Sequence, residues 1–368
     1  MIHGIRLKNF KCFEDLDLPL ANLTLLTGLN GMGKSSVIQS LLVLRQSFQQ
    51  GLLPDRGLAL NGDLITLGTA QSVLFEYAEK DIIAIGLRGE RNGPWSSFMF
   101  KYNQNADFLE LVSVSRQLIS LDQSLFKDRF QYIHAERLGP RAMFPVSHHA
   151  VREHRSLGAR GEYASYFLDV FGTQTVGPRQ LLHEEARSDQ LIHQVAAWLG
   201  EVSPGVDLHL LTHENMDVVN LEYSFAATEG RRFRTTSVGF GITYTMPIIL
   251  AILSAKPDDL LILENPEAHL HPQGQVRIGE LIARAANEGV QLIVETHSDH
   301  ILNGMRIAVR QGRCDPTRVA MHFFSRPKQA QPPYQTRIVS PMIDENGRID
   351  PWPDGFFDEW EKSLEQLF

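Results

Sequence analysis

The chain has 368 residues, enough for one large domain or two modest ones, with a hydrophobic share of 43% and a charged share of 21%, ordinary values for a folded globular protein. Its longest apolar runs are short, such as Leu41 to Leu44 and Pro247 to Leu253, far from the ~20 residues that span a bilayer. No basic stretch followed by an apolar core opens the sequence, so neither a membrane partner nor secretion is expected, and the net charge of −8 excludes a global basic field for nucleic acid.

That charge is unevenly placed. From Asp344 to Phe368, eight acidic residues face only Arg348 and Lys362, a local balance of −6. Between Arg129 and Arg160, six arginines face only Glu136 and Glu153. Of these, Arg137, Arg141, Arg152, Arg155 and Arg160 form a candidate phosphate patch, which keeps nucleic acid open as a partner; the other reading is a solvated arginine cluster. Cys12 and Cys314 are the only cysteines and form no spaced framework, which suits a reducing, cytoplasmic interior.

In chain order, Ile5 and Leu7 alternate with polar neighbours and Leu23 to Leu26 is a short buried run, so the chain begins as two strands. A helix is expected from Lys34, where Val37, Ile38, Leu41, Leu42 and Phe48 fall at helical spacing, with Gly51 as its stop. The section from about Phe75 to Ile119 holds three strand-like stretches, Asp81–Gly86, Trp95–Tyr102 and Phe108–Val114, separated by turn residues and expected as an antiparallel meander. Helical pattern follows at Tyr163–Phe171 and Gln190–Leu199, then strands at Leu208–Thr212 and Val218–Phe225. The last third alternates strand and helix, with strands at Leu260–Leu263, Gln291–Val294 and Arg318–Phe324, which implies a parallel sheet covered by helices. The expected division is one core from 1–74 plus 228–345, an insertion of meander and helical lobe over 75–227, and an acidic aromatic tail at 346–368.

Four motifs carry chemistry. Gly28-Leu29-Asn30-Gly31-Met32-Gly33-Lys34-Ser35 fits G-x-x-x-x-G-K-[ST] between a strand and a helix. Backbone N–H groups there form an anion nest at the positive end of a helix. Asn30, Gly31, Gly33, Lys34, Ser35 and Ser36 are therefore candidate ATP-binding residues, with Lys34 on the β- and γ-phosphates and the Ser35 hydroxyl on Mg²⁺. The apolar strand Leu260–Leu263 delivers Glu264, Asn265 and, after Pro266, Glu267 to the carboxyl end, where open α/β sheets bind ligands. Glu264 is the second candidate for Mg²⁺, through water. Ser237, Gly239 and Gly241 open another helix, with Ser237 expected as its N-cap. Finally, His297 follows the strand ending at Val294, in reach of a γ-phosphate, and Ser298 caps the next helix.

This order of motifs, from Lys8-Asn9-Phe10-Lys11-Cys12-Phe13 through the phosphate loop, S-x-G-x-G, Glu264-Asn265-Pro266-Glu267-Ala268-His269-Leu270-His271-Pro272 and Thr296-His297-Ser298, resembles the RecF/SMC/OLD group of ABC-type ATPases. The Glu267–Pro272 stretch and the tail from Trp352 to Asp358 are similar to its small OLD-like bacterial branch. The resemblance implies an α/β fold: an ABC-type ATPase head with a mixed or parallel sheet, an antiparallel β subdomain and a helical lobe. It also implies that Ser237, Gly239 and Gly241 cap ATP held by the opposite subunit of a dimer, that 266–272 line the seam, and that His297 is a switch histidine. Lys34, Glu264, Asn265, Glu267 and His297 are then the catalytic set. Three departures stand out: no long heptad segment is present, the nuclease domain of full OLD proteins is expected to be missing, and Asn265 stands where the group places a water-activating carboxylate. Gln71 is the candidate for the group's Q-loop glutamine. The implied function is a slow, ATP-dimerising ATPase subunit that controls a separately encoded effector in anti-phage defence; a RecF-like DNA-repair ATPase and a non-hydrolysing ATP switch are the alternatives.

Overall fold

The structure is a computed structural model that describes residues 1–115, 124–228, 230–326 and 336–367. The close of the expected meander section, 116–119, lies outside the described residues, as does Phe368 of the tail. The chain divides into two compact units. One comprises Met1–Lys127, Ala320–Met342 and Asp350–Phe368; the other comprises Asp128–Val319 and Ile343–Ile349.

The first unit opens with β1 (Gly4–Phe10), β2 (Phe13–Pro19) and β3 (Leu23–Gly28), then α1 (Lys34–Gln49), β4 (Gly57–Ala59), β5 (Ile82–Arg88), β6 (Ser96–Lys101) and β7 (Phe108–Val114). Six of these strands form an antiparallel sheet in the order β2-β1-β5-β6-β7-β4. Period-2 patterning sets the register: Leu7 lies opposite Leu16 on one side and Ile85 on the other, all buried. The three meander strands therefore continue the sheet begun by β1 and β2. The boundary expected near residue 74 does not divide them, because β1 hydrogen-bonds to β5 along its length.

α1 buries Val37, Ile38, Leu41 and Leu42 as its spacing required. It ends in a Schellman motif, with Gly51 at φ 68° donating its N–H to Phe48 O at 2.9 Å and Leu52 N–H bonding Ser47 O at 2.9 Å.

The second unit contains β8 (Phe130–Ile133), β9 (Phe144–Pro145), α2 (Ala164–Phe171), α3 (Leu191–Gly200), β10 (Val206–His213), β11 (Val218–Phe225), β12 (Arg232–Arg234), α4 (Phe240–Ser254), β13 (Leu260–Glu264), α5 (Pro272–Asn287), β14 (Gln291–Glu295) and α6 (Asp299–Arg310). β13 lies parallel between β8 and β14, with Leu260 to Leu263 all buried, as a strand covered on both faces requires. Helices α5 and α6 pack almost backbone to backbone: a Cβ added at Gly279 would meet Ile301 O at 2.2 Å, and one at Gly304 would meet Val276 O at 2.0 Å. β10, β11 and β12 form a separate antiparallel ribbon.

The chain then completes its first unit with β15 (Val319–Ser325), β16 (Arg337–Val339) and α7 (Glu359–Leu367). β15 is flanked by β3 and β16. From it, Phe323 receives Phe356 of the tail, whose ring is fully buried at 5.5 Å centroid distance, while Trp352 and Trp360 remain exposed. No helix among the described residues is long and apolar enough to cross a membrane.

Candidate functional site

The phosphate loop of the first unit is built by three glycines with left-handed backbones: Gly28 at φ 130°, Gly31 at 76° and Gly33 at 99°. Two are also sterically obligatory. A Cβ on Gly28 would lie 2.1 Å from Phe324 O, and one on Gly33 would lie 2.5 Å from the Phe13 ring and 2.6 Å from Cys12 Sγ. β1 and β2 meet at that Cys12-Phe13 corner, so the sequence just before the loop is its floor. Lys34 is buried, and its ammonium donates to Gly28 O and Leu29 O at 2.9 Å each. This closes the loop into a ring in front of the first turn of α1. Asn30, Gly31 and Ser35 are exposed on its rim, while Ser36 turns inward to Cys12 at 3.8 Å. A helix start, left-handed glycines and one buried cation thus come together, the ingredients from which anion-binding loops are built. Gln71 is exposed in a short turn, Ala70–Ser72.

In the second unit, β13 ends at Glu264. Its Oε1 accepts from the Tyr132 hydroxyl at 3.1 Å and its Oε2 from the Ala135 N–H at 3.2 Å, with His134 Nε2 3.7 Å away. Burial, and next the Glu264 carboxylate, push the Tyr132 phenol well above its usual range, so it remains a hydrogen-bond donor. Asn265 takes a left-handed backbone, φ 44°, held by its own N–H donating to Glu295 O at 2.9 Å. Glu267 turns to the end of β14. Its Oε2 accepts from Thr296 Oγ1 at 2.7 Å and its Oε1 from the His297 N–H at 2.9 Å. Ser298 caps α6 by accepting from His300 N and Ile301 N, as its position before the helix implied.

Four predicted residues of this unit are therefore brought together. Glu264 and Asn265 end one strand, His297 follows the neighbouring parallel strand, and Glu267 bridges the two. Taken unit by unit, the Ser35 hydroxyl of the first is exposed and the Glu264 carboxylate of the second is 12% exposed; each is a hard oxygen donor of the kind Mg²⁺ takes.

The start of α4 departs from expectation in one respect. Ser237 closes a short turn, Thr235–Ser237, and the N-cap is Gly239, with no side-chain bond to the helix amides. The first α4 amides therefore have no side-chain cap, and Ser237 is exposed just before them. Gly241 is needed for space, since its Cβ would sit 2.8 Å from His269 O.

The arginines do not act as one patch. Arg137 is only 2% exposed, and its guanidinium donates to Glu264 O and Asn265 O at 2.8 Å each and to His134 O at 3.2 Å. Burial pulls its pKa down to about 10, still a cation at neutral pH. It is lost to any surface patch because its donors serve the backbone of the site itself. Arg152 donates to Tyr166 at 3.2 Å, Arg155 lies 4.2 Å over the Phe171 ring, and Arg160 pairs with Glu136; of the five, Arg141 alone is exposed without such a partner side chain among the described residues. Tyr132 was missed by sequence reasoning, Thr296 was quoted only as part of a motif, and Arg137 was read as part of the phosphate patch rather than as a support of the Glu264–Asn265 backbone. The only sequence signal for Tyr132 and for this role of Arg137 was their position at the end of a third apolar strand, Phe130–Ile133.

Three family models match this chain. An AAA ATPase domain matches residues 1–108. An AAA domain family, whose description names the AbiEii toxin of a type IV TA system as a candidate identity, matches 171–303. A family of unknown function, DUF3696, matches 314–367. An OLD nuclease from Thermus scotoductus is 44% identical over 41 residues, 11% of this chain and 8% of that protein. Among solved structures, an Smc head bound to the C-terminal winged-helix domain of ScpA covers 94% of this chain and 98% of its own at 13% identity and a TM-score of 0.55. An Smc head with an extended coiled coil, bound to the C-terminal domain of ScpA from Pyrococcus furiosus, covers 100% and 99% at 13% identity and 0.51. The structural likenesses show the fold, a mixed α/β architecture similar to that of Smc heads.

Proposed function

We propose that this chain, an ABC-type AAA ATPase, binds ATP·Mg²⁺ on its glycine loop, closes with a second copy through Ser237–Gly241, and hydrolyses the nucleotide slowly. The observation that carries the reading is the hydrolytic loop. Glu264 is held by Tyr132 and Ala135, while Asn265 stands next to it in a fixed left-handed turn. An asparagine orients water through its carbonyl but cannot take its proton, so the step relies on positioning and electrostatics, which supply most phosphoryl-transfer catalysis. Mg²⁺, for which Ser35 and Glu264 are the proposed ligands, would neutralise charge that develops on the phosphates. In this reading Lys34 binds phosphate, Glu264 orients the metal's water shell, and Glu267 ties His297 to the loop.

Slow turnover implies a long-lived closed dimer, which suits a sensor that licenses an effector better than a motor. We further propose that the effector is a separate protein and that the setting is nuclease-linked defence. The motif likeness to an OLD nuclease supports this, as do the relatives' heads seated on ScpA. A DNA-loading role would draw on the arginines from 137 to 160, and Arg137 is withdrawn from that surface.

Phosphate release measured with ATP and Mg²⁺ tests the reading. Wild-type protein is expected to turn over slowly, and Lys34→Ala to lose ATP affinity by at least about tenfold, since a charge-assisted contact disappears. Undiminished affinity in Lys34→Ala would mean that the loop does not hold the triphosphate.

A further inference from the structure

The geometry points to Arg137 as a positioning residue through which the first turn of α4 sets the loop carrying Glu264 and Asn265. The inference rests on the reading of Glu264 and Asn265 as the hydrolytic pair, and it adds a connection from the nucleotide-capping helix to that pair within one subunit.

A buried guanidinium is expensive unless paired, yet among the described residues no carboxylate forms an ion pair with Arg137. Its two amino nitrogens instead hold the carbonyls of two consecutive residues, Glu264 and Asn265, at 2.8 Å each. A planar fork does this; a lysine ammonium has no such geometry. The Nε of Arg137 is buried without a partner, so stability alone does not account for the side chain. Holding those carbonyls fixes the peptide plane on either side of Asn265, and with it the direction of the Asn265 side chain. A left-handed backbone at a non-glycine residue persists only where its surroundings impose it, and Arg137 and Glu295 O impose it here.

The other face of the guanidinium lies 5.3 Å from the centroid of Tyr244, one turn into α4. The Tyr244 ring also stands edge-on to His269 at 4.6 Å, and Phe240 lies 5.6 Å from the same imidazole. Two close approaches weld these parts together. A Cβ on Gly139 would lie 3.3 Å from Phe240 and 3.4 Å from Tyr244, and one on Gly241 would press on His269 O at 2.8 Å. Phe240 is 55% exposed directly after Gly239, so a nucleotide seated on Ser237–Gly241 meets it first. Packed interiors transmit small displacements rather than absorbing them. A shift of the first turn of α4 therefore moves Tyr244 and His269, and through Arg137 it re-aims Asn265. Seating the partner's ATP and aligning the subunit's own water become one motion.

The test uses Arg137→Lys, Tyr244→Leu and Tyr244→Phe in the full chain, with three readouts: ATP affinity, kcat, and amide hydrogen exchange over residues 264–271. For Arg137→Lys and Tyr244→Leu, kcat should fall about 10- to 100-fold, the scale of a small misplacement, while ATP affinity stays within about threefold. Exchange over 264–271 should quicken in both. Tyr244→Phe, which keeps the ring, should behave as wild type. Should Arg137→Lys fail to fold, Tyr244→Leu carries the test, since it leaves the cation in place. Wild-type kcat together with unchanged exchange over 264–271 in Tyr244→Leu overturns the coupling. If the wild-type chain releases no phosphate at all, the hydrolytic reading falls, and the exchange measurement alone decides whether α4 controls the loop.

Discussion

In the proposed reaction, Asn265 is the residue whose chemistry most limits turnover. A carboxylate in its place would take the proton of the attacking water, and general-base assistance contributes about 10²- to 10⁴-fold. Asn265→Glu should therefore raise kcat, and by the same step shorten the life of any closed dimer; steady-state phosphate release beside dissociation kinetics measures both. Glu267 is the competing base. Both of its oxygens already accept hydrogen bonds, from Thr296 and from the His297 N–H, which leaves it poorly placed to take a proton. Glu267→Gln should then loosen the His297 turn and lower kcat only in part. An unchanged rate in Asn265→Glu, together with complete loss in Glu267→Gln, would exchange the two roles. The placement of Glu264, Asn265 and Glu267 was legible in the sequence because strand ends and the acids that follow them are local. The burial of Arg137 was not, since the arginine at 137 reads like its neighbours at 141, 152, 155 and 160 until the strands are paired.

At the scale of elements, β15 is tied to both of its surroundings by one imidazole. His322 is almost fully buried; its Nε2 donates to Pro19 O and its Nδ1 accepts from Ser340 Oγ, each at 2.8 Å. Burial lowers its pKa to about 4, so the folded chain keeps it neutral while the unfolded chain takes a proton near pH 6.5. The unfolded state then binds more protons between those values. The contribution is complete above about pH 6.5 and is lost as pH falls towards 4, on the order of 3 kcal/mol in total. Urea unfolding of wild type and His322→Gln at pH 7.5 and pH 5 should show the acid-induced loss reduced in the variant; parallel losses would place the titration elsewhere. The elements themselves were read well wherever the signal is local. The helix from Lys34, the three meander strands and the strands at 208–212 and 218–225 all form close to their expected bounds. The expected N-cap at Ser237 failed because Ser237 closes a three-residue turn and Gly239 takes the cap, a choice that propensity at a single serine does not reveal.

For the whole molecule, what escaped the sequence is long-range pairing. β1 bonds β5 across some seventy-eight residues of chain, so the meander belongs with the first strands; alternation sets which face is buried but not which strand lies beside which. The aromatic tail likewise divides in a way that composition could not resolve: Phe356 is fully buried against Phe323, whereas Trp360 is 71% exposed. The central claim is that two copies close on ATP, each capping the nucleotide of the other. Sedimentation velocity with ATP and Mg²⁺ tests it on wild type, Lys34→Ala, Ser237→Arg and an equimolar mixture of the two variants. Wild type should sediment as a dimer, and each variant alone as a monomer: the first because its loop holds no ATP, the second because a cation stands where the partner's phosphate belongs. The mixture retains one intact pairing, the glycine loop of Ser237→Arg facing the signature of Lys34→Ala, and should recover dimer with one ATP bound per pair. Ser237→Arg dimerising on ATP as well as wild type, or wild type remaining a monomer with ATP·Mg²⁺, would contradict the composite site.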